Sequence, residues 1–258
     1  MAHWRLLPWD SEHFGWPVAR IDPDRLDGAA LERCLRELDA AGVRLAYWGA
    51  ADDPALLGLA QSRGGRLVDR KRTYACELGA AAEGSAGEAA AGGPEIAPLP
   101  PGAAPTPALE ELAIASGVHS RFALDPALPR ERFEAMYRIW LRRSLAGELA
   151  DAVLLSGTAA APRGLVTVSR RGAAPERAAE LGLLAVASSA RRAGLGAGLV
   201  RAAQGWARAR GCARLRVVTQ GANEDACRLY LRCGFGLERQ ELWFHFHLGS
   251  RGECPSRS

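Results

Sequence analysis

Apolar residues in the first part of the chain follow two rhythms. Leu31, Cys34, Leu35 and Leu38 recur at helical spacing, which predicts an amphipathic helix, and the run from Val43 to Trp48 predicts a strand after it. Pro54 opens a short helical stretch, and Arg66 to Leu78 reads as a second strand. From Gly79 to about Pro107 the rhythm stops. Nearly every residue there is Ala, Gly, Pro, Ser or Glu, a composition with too little apolar surface to order itself throughout.

The pattern then resumes. Pro94 to Leu99 reads as a short strand, and Thr106 followed by Pro107 is a helix start, with Glu110 and Glu111 in the first turn. A second helix opens after Asp125-Pro126 and puts Phe133, Met136, Tyr137 and Trp140 on one face, which by default means core. Ala152 to Ser156, Leu165 to Arg170 and Arg177 to Val186 predict an antiparallel meander. A helix with Leu195, Leu199, Ala202 and Trp206 on one face follows, then a strand Arg214 to Val218, a helix from about Asn223 and a final strand near Glu241 to Leu248. The expectation is an α/β protein in two parts: a smaller α/β N-terminal domain over 1–78, a linker over 79–93, a larger domain over 94–248 and a flexible tail over 249–258.

Composition narrows this picture. The chain has 33 basic and 29 acidic residues, and Lys71 is its one lysine. Arginine and alanine are inflated throughout, which reads as coding bias and solvated surface, so no nucleic-acid partner is expected. Cys34, Cys76, Cys212, Cys227, Cys233 and Cys254 show no metal-ligand spacing and read as reduced thiols. Asp10, Glu12 and His13 stand where a secretory signal would need an apolar stretch, and no apolar run reaches the ~18 residues of a membrane span. A cytoplasmic, soluble protein without a membrane partner is expected.

The chemistry concentrates after Glu180, in ELGLLAVASSARRAGLGAGLVRAAQGWARARG. Gly194, Gly196 and Gly198 lack Cβ atoms and stand where a helix begins, so backbone N–H groups and the positive dipole end can close on an anion such as a pyrophosphate. Arg191 and Arg192 add charge. A dinucleotide-binding turn would need G-x-G-x-x-G directly after the strand, and a Walker loop would need Gly-Lys-Ser/Thr; neither is present. His245 and His247 share one strand face, but two histidines without a third ligand at a recognisable spacing predict no metal.

Arg191, Gly194 and Gly196 match the [Arg/Gln]-x-x-Gly-x-[Gly/Ala] signature, and with the order of elements around it the chain resembles the GNAT superfamily of N-acetyltransferases. LRVVTQGANEDACRLYLRCGF (215–235), SRFALDP (120–126) and WDSEHFGW (9–16) narrow the resemblance to the TDP-fucosamine acetyltransferase family. That resemblance implies a GNAT fold, a mixed and mostly antiparallel central sheet flanked by helices. It implies acetyl-CoA as cosubstrate and, as acceptor, the amine of a nucleotide-linked amino sugar of the TDP-4-amino-4,6-dideoxyhexose type, used in polysaccharide biosynthesis. An aminoglycoside, polyamine or protein N-terminus as acceptor, a non-catalytic CoA-binding module and a homodimer are left open.

The resemblance also distributes roles. Arg191, Arg192, Ala193, Gly194, Leu195, Gly196, Ala197 and Gly198 would hold the cofactor's phosphates, Leu184, Ala185 and Val186 its pantetheine, with the N–H near Val186 facing the thioester oxygen. Asn223 would contact the pantetheine amides, besides being a plausible N-cap, and Tyr230 would protonate the departing thiolate. Glu180 stands at the strand position where relatives carry an acid acting as base. His119, Arg121 and Asp125 would line the acceptor pocket, with Arg121 suited to a sugar-nucleotide phosphate.

Overall fold

The computed structural model describes residues 3–79, 95–172 and 177–249. The expected linker, Gly79 apart, and the expected tail, Gly249 apart, lie outside the described residues. In chain order the elements are β1 (Trp4–Leu6), α1 (Pro8–Phe14), β2 (Val18–Ile21), α2 (Gly28–Ala40), β3 (Leu45–Ala51), α3 (Pro54–Ser62), β4 (Arg66–Glu77), β5 (Ile96–Pro98), α4 (Pro107–Ser116), α5 (Arg121–Leu124), α6 (Arg130–Leu145), β6 (Ala152–Gly157), β7 (Pro162–Arg171), β8 (Ala178–Val186), α7 (Leu195–Arg208), β9 (Arg214–Gln220), α8 (Glu224–Arg232) and β10 (Gly236–His247). They form two compact units, one of residues up to Lys71 and from Gln240 on, the other of Arg72–Arg239.

The division differs from the sequence reading, which gave the last strand to the C-terminal domain. The reason is side-chain alternation in β10. Leu242, Phe244 and Phe246 point to one face and join Ala19, Ile21, Leu31, Cys34, Leu38, Ala46 and Trp48 in the core of the first unit. β10 runs antiparallel to β3, from Glu241 opposite Ala51 to His247 opposite Leu45. At Trp243 the match is tight: a Cβ on the facing Gly49 would lie 3.0 Å from the indole, so any larger residue there would make the ring give by a few tenths of an ångström. β2 is parallel to β3, and α2, capped by Asp27, connects them. The segment WDSEHFGW, which the periodicity left unassigned, forms α1 up to Phe14.

In the second unit the sheet order is β4-β9-β8-β7-β6-β5. α7 and α8 cover one face, with Leu195, Leu199, Val200, Ala203 and Ala207 of α7 packed on Val166, Val168, Leu181 and Leu215. The buried stripe of α7 therefore runs through Leu199, Ala203 and Ala207, one step round from the predicted Ala202 and Trp206, which are only partly buried. The second predicted helix starts later than expected. Asp125 turns the chain by accepting from the N–H of Ala127 at 3.1 Å, a short α5 precedes it, and α6 begins at Arg130 with Phe133, Met136 and Tyr137 buried.

The five described cysteines are unpaired thiols; Cys34, for one, is pushed up to about 11 by burial first and by Glu37 second. Among the described residues no helix is long and apolar enough to cross a membrane.

Candidate active site

The site starts from one surplus residue in β8. Val168 stands opposite Leu181 and Val166 opposite Leu184, so two residues of β8, Gly182 and Leu183, face the single Thr167 of β7. This is a β-bulge. The Thr167 hydroxyl holds it by accepting from the N–H of Leu183 at 2.8 Å, and a Cβ at Gly182 would meet that oxygen at 2.6 Å. The bulge resets the alternation, so that Leu184 and Val186 share the α7 face with Leu181.

The same bulge ends the pairing of β8 with β9. The parallel ladder runs from Ala178 opposite Arg214 to Leu181 opposite Val217 and, among the described residues, no further. The two strands thus open into a wedge at their carboxyl ends, the place where open α/β sheets bind ligands. Which groups face the wedge follows from the ladder's period of two. The N–H groups of Leu183 and Ala187 point toward β7, to Thr167 Oγ1 and the Arg163 carbonyl, so those of Leu184 and Val186 point away from it, into the wedge. Arg191 Nε donates to the Val186 carbonyl at 3.3 Å, from that open side.

The loop after β8 makes a single 3₁₀ turn over Ser188–Ala190 and then takes two left-handed backbone steps, Arg192 at φ 62° and Gly194 at φ 74°. Gly194 adopts this conformation freely; at Arg192 it costs roughly 1–2 kcal/mol, a strain typical of functional loops. Gly194 starts α7 without a side-chain cap, and the first bond within the helix is from Gly198 N–H to the Gly194 carbonyl. The N–H groups of Leu195, Gly196 and Ala197 are therefore left for something outside the helix.

Wedge, loop and helix end enclose a cavity of about 710 Å³, a size that suits a small-molecule ligand. Of the residues singled out from sequence, Leu184, Ala185, Val186, Arg191, Arg192, Gly194, Leu195, Gly196, Ala197, Asn223 and His119 all line it. A Cβ at Gly196 would be 3.4 Å from Leu229 and 3.8 Å from Val186, so any larger side chain there would grow into the space between β8 and α8. Asn223 caps α8 through Oδ1, which accepts from Ala226 N–H at 3.2 Å, and this leaves its NH₂ group as a donor.

Six of the expected residues are not brought to the cavity. Ala193 and Gly198 are absent from its lining, Gly198 because it already lies one turn into α7. Glu180 stands opposite Arg216 in the paired half of β8, ion-paired to Arg171 at 3.0 Å, and is four steps along the strand, about 13 Å, from Leu184. Asp125 is 1% exposed and serves the α5–α6 turn, and Arg121 lies over the Phe122 ring at 4.5 Å. Tyr230 is 4% exposed, between the rings of Tyr74 and Phe235 at 6.0 and 5.7 Å, where burial raises its phenol pKa above the ordinary value of about 10.

Sequence reasoning missed the α8 wall, Asp225, Ala226, Leu229 and Arg232. Ala226, Leu229 and Arg232 lie three apart, with Asp225 four before Leu229, on one helical stripe beside the buried stripe of Cys227 and Tyr230, and counting on from the cap Asn223 would have found that stripe. Arg191, Arg192 and Arg232 make this end of the cavity cationic. Asp225 does not offset them fully: its carboxyl is held below the usual range first by a 2.7 Å hydrogen bond from Arg228, with the charges of Arg192 and Arg232 adding.

Residues 118–235 match the model of the Acetyltransferase (GNAT) family. Over 140 residues the chain is 32% identical to the dTDP-fucosamine acetyltransferase of Escherichia coli O6:H1, an alignment that covers 54% of this chain and 58% of that protein, less than two thirds of its length. A conserved Staphylococcus epidermidis protein of unknown function superposes with a TM-score of 0.59 at 13% identity, covering 96% of this chain and 92% of the other. A tandem GNAT protein from the clavulanic acid biosynthesis pathway superposes with a TM-score of 0.55 at 14% identity, covering 91% and 76%. These two likenesses concern the fold alone.

Proposed function

We propose that this chain, which carries a GNAT acetyltransferase domain over residues 118–235, moves the acetyl group of acetyl-CoA to the amine of a nucleotide-linked amino sugar of the TDP-4-amino-4,6-dideoxyhexose type. The observation that supports the reaction best is the cavity itself: an open strand edge with inward N–H groups, meeting an uncapped helix end ringed by arginines. A long thiol ester that ends in phosphates needs both. Its amide-bearing arm can lie against Leu184–Val186 like an added strand, and its pyrophosphate can take the free N–H groups of α7 together with Arg191, Arg192 and Arg232.

In this reading the N–H of Val186 donates a hydrogen bond to the thioester oxygen as negative charge builds on it during attack by the amine. The N–H is fixed by the bulge before any substrate arrives, so it needs no reorganisation during the reaction. Asn223 supplies a further amide donor at the opposite lip. Tyr230 follows cavity-lining Leu229 but lies on the buried stripe of α8, outside the lining, so its neutral phenol could give the departing thiolate a proton only through a movement of α8 or an intervening water. The choice of sugar nucleotide as acceptor rests on the 32% identical relative and on the sequence stretches 120–126 and 215–235.

The test is thiol release from acetyl-CoA with dTDP-4-amino-4,6-dideoxygalactose, an aminoglycoside, a polyamine and a peptide with a free N-terminus, each monitored for the acetylated product. Release with the sugar nucleotide at least about a hundredfold above the others in kcat/KM is the expected result. Equal or better turnover of another amine would keep the acyl transfer and discard the sugar.

A further inference from the structure

We infer that His119 takes the proton from the incoming ammonium, an assignment that rests on the acyl transfer proposed above. The ionisable side chains that line the cavity are His119, Arg191, Arg192, Asp225 and Arg232. Guanidinium groups stay protonated and cannot accept a proton. Asp225, at the exposed start of α8, is engaged by Arg228 at 2.7 Å and surrounded by further arginines, which makes it a poor base. Glu180 is outside the cavity and tied to Arg171. A neutral imidazole, with a ring-nitrogen lone pair able to accept a proton, is the remaining group.

Position supports the same choice. His119 sits in the turn between α4 and α5, and both of its flanks are fixed. Gly117 is pressed onto Tyr137, where a Cβ would come within 2.1 Å of the ring, and Ser120 N–H donates to the Gly117 carbonyl at 2.8 Å while its hydroxyl caps α5. The half-buried ring of His119 has no hydrogen-bond partner among the described residues, so nothing there competes for its lone pair. The wall it shares with Ala115, Ser116 and Val118 carries no other charge, whereas the three arginines belong to the α7 loop and α8. A cationic amine is repelled from the arginine end and admitted at the histidine end. Of the other groups near this turn, Arg121 points over Phe122, and Tyr137 lies under Gly117.

The step balances simply. R–NH₃⁺ gives one proton to the imidazole, the free amine forms the C–N bond to the acetyl carbon as the C–S bond breaks, and the nitrogen loses its second proton as the CoA thiolate gains one. Amide, CoA thiol and imidazolium result, and the imidazolium returns its proton to solvent.

The experiment compares wild type with His119→Asn across pH, using acetyl-CoA and dTDP-4-amino-4,6-dideoxygalactose, with acetyl-CoA affinity measured by calorimetry on the same samples. The expected variant binds acetyl-CoA within about twofold of wild type, which also reports its folding, while kcat falls on the order of a hundredfold. Above neutral pH the wild-type kcat/KM is level and that of His119→Asn climbs about tenfold per pH unit, because only unprotonated amine from solution reacts. Added imidazole partly restores a His119→Ala enzyme. Activity of His119→Asn within about threefold of wild type, a pH profile of unchanged shape, or a parallel loss of acetyl-CoA affinity would each overturn the assignment. A wild type that binds acetyl-CoA but acetylates neither this sugar nor any amine of the panel above would overturn the acyltransferase reading and this role with it.

Discussion

Helices α7 and α8 begin beside the same cavity and are built on opposite terms. α8 starts at Asn223, whose side chain satisfies the Ala226 N–H, with Glu224 and Asp225 in its first turn to meet the dipole. α7 starts at Gly194, with no cap and no acidic residue in its first turn. One helix end is completed from within the chain; the other keeps its donors and its partial positive charge for a ligand. The contrast shows why a helix terminus must be read together with its cap residue before it is counted as an anion site.

The sharpest way to break the difference is to occupy the space α7 leaves. Gly196→Leu pushes a side chain between Val186 and Leu229 and is expected to weaken acetyl-CoA binding a hundredfold or more by calorimetry, while the melting temperature changes little. Gly194→Asp gives α7 an acidic start like that of α8. The expected effect is a loss of about tenfold or more in acetyl-CoA affinity, together with a cost of roughly 1–2 kcal/mol from a side chain at φ 74°. Unchanged affinity in Gly194→Asp would mean that the phosphates bind elsewhere.

The reverse experiment removes the cap of α8. Asn223→Ala is expected to cost about 1 kcal/mol, a fall of ~2–4 °C in melting temperature, and only a few-fold in acetyl-CoA affinity. If affinity fell as far as in Gly194→Asp, the carboxamide would matter more as a ligand contact than as a cap. Smallest is the expected effect of Arg232→Ala, a few-fold loss of affinity at low salt that fades as ionic strength rises, since the group is exposed.

These comparisons also mark how far the sequence could be read. The loop 191–197 was legible because glycine spacing, flanking arginines and the following amphipathic helix all bear on one local event. The bulge at Gly182–Leu183 was not, because it depends on the Thr167 hydroxyl, in another strand, and no local pattern reports a partner fifteen residues away in Gly182. Tyr230 was singled out over Leu229 and Arg232 by residue chemistry, yet a step of one residue turns a helix by about 100°, and only packing decides which stripe meets the core. Asp125 likewise looked like a ligand-binding group because a polar side chain in a turn resembles a site until the turn itself is seen to use it, and the Arg121 guanidinium lies over the Phe122 ring. β10 was assigned by order along the chain, while its apolar face found the first unit's helices.

The bulge has a further consequence for how this protein can change. With Gly182 deleted, β8 would match β7 residue for residue, and its last residues would reach the register in which they could go on pairing with β9. The expected product is a sheet with a longer ladder and a higher melting temperature that no longer binds acetyl-CoA. Selection for thermal resistance alone would therefore favour closing the groove, and the single unmatched residue is the point at which robustness and usefulness pull this sequence apart.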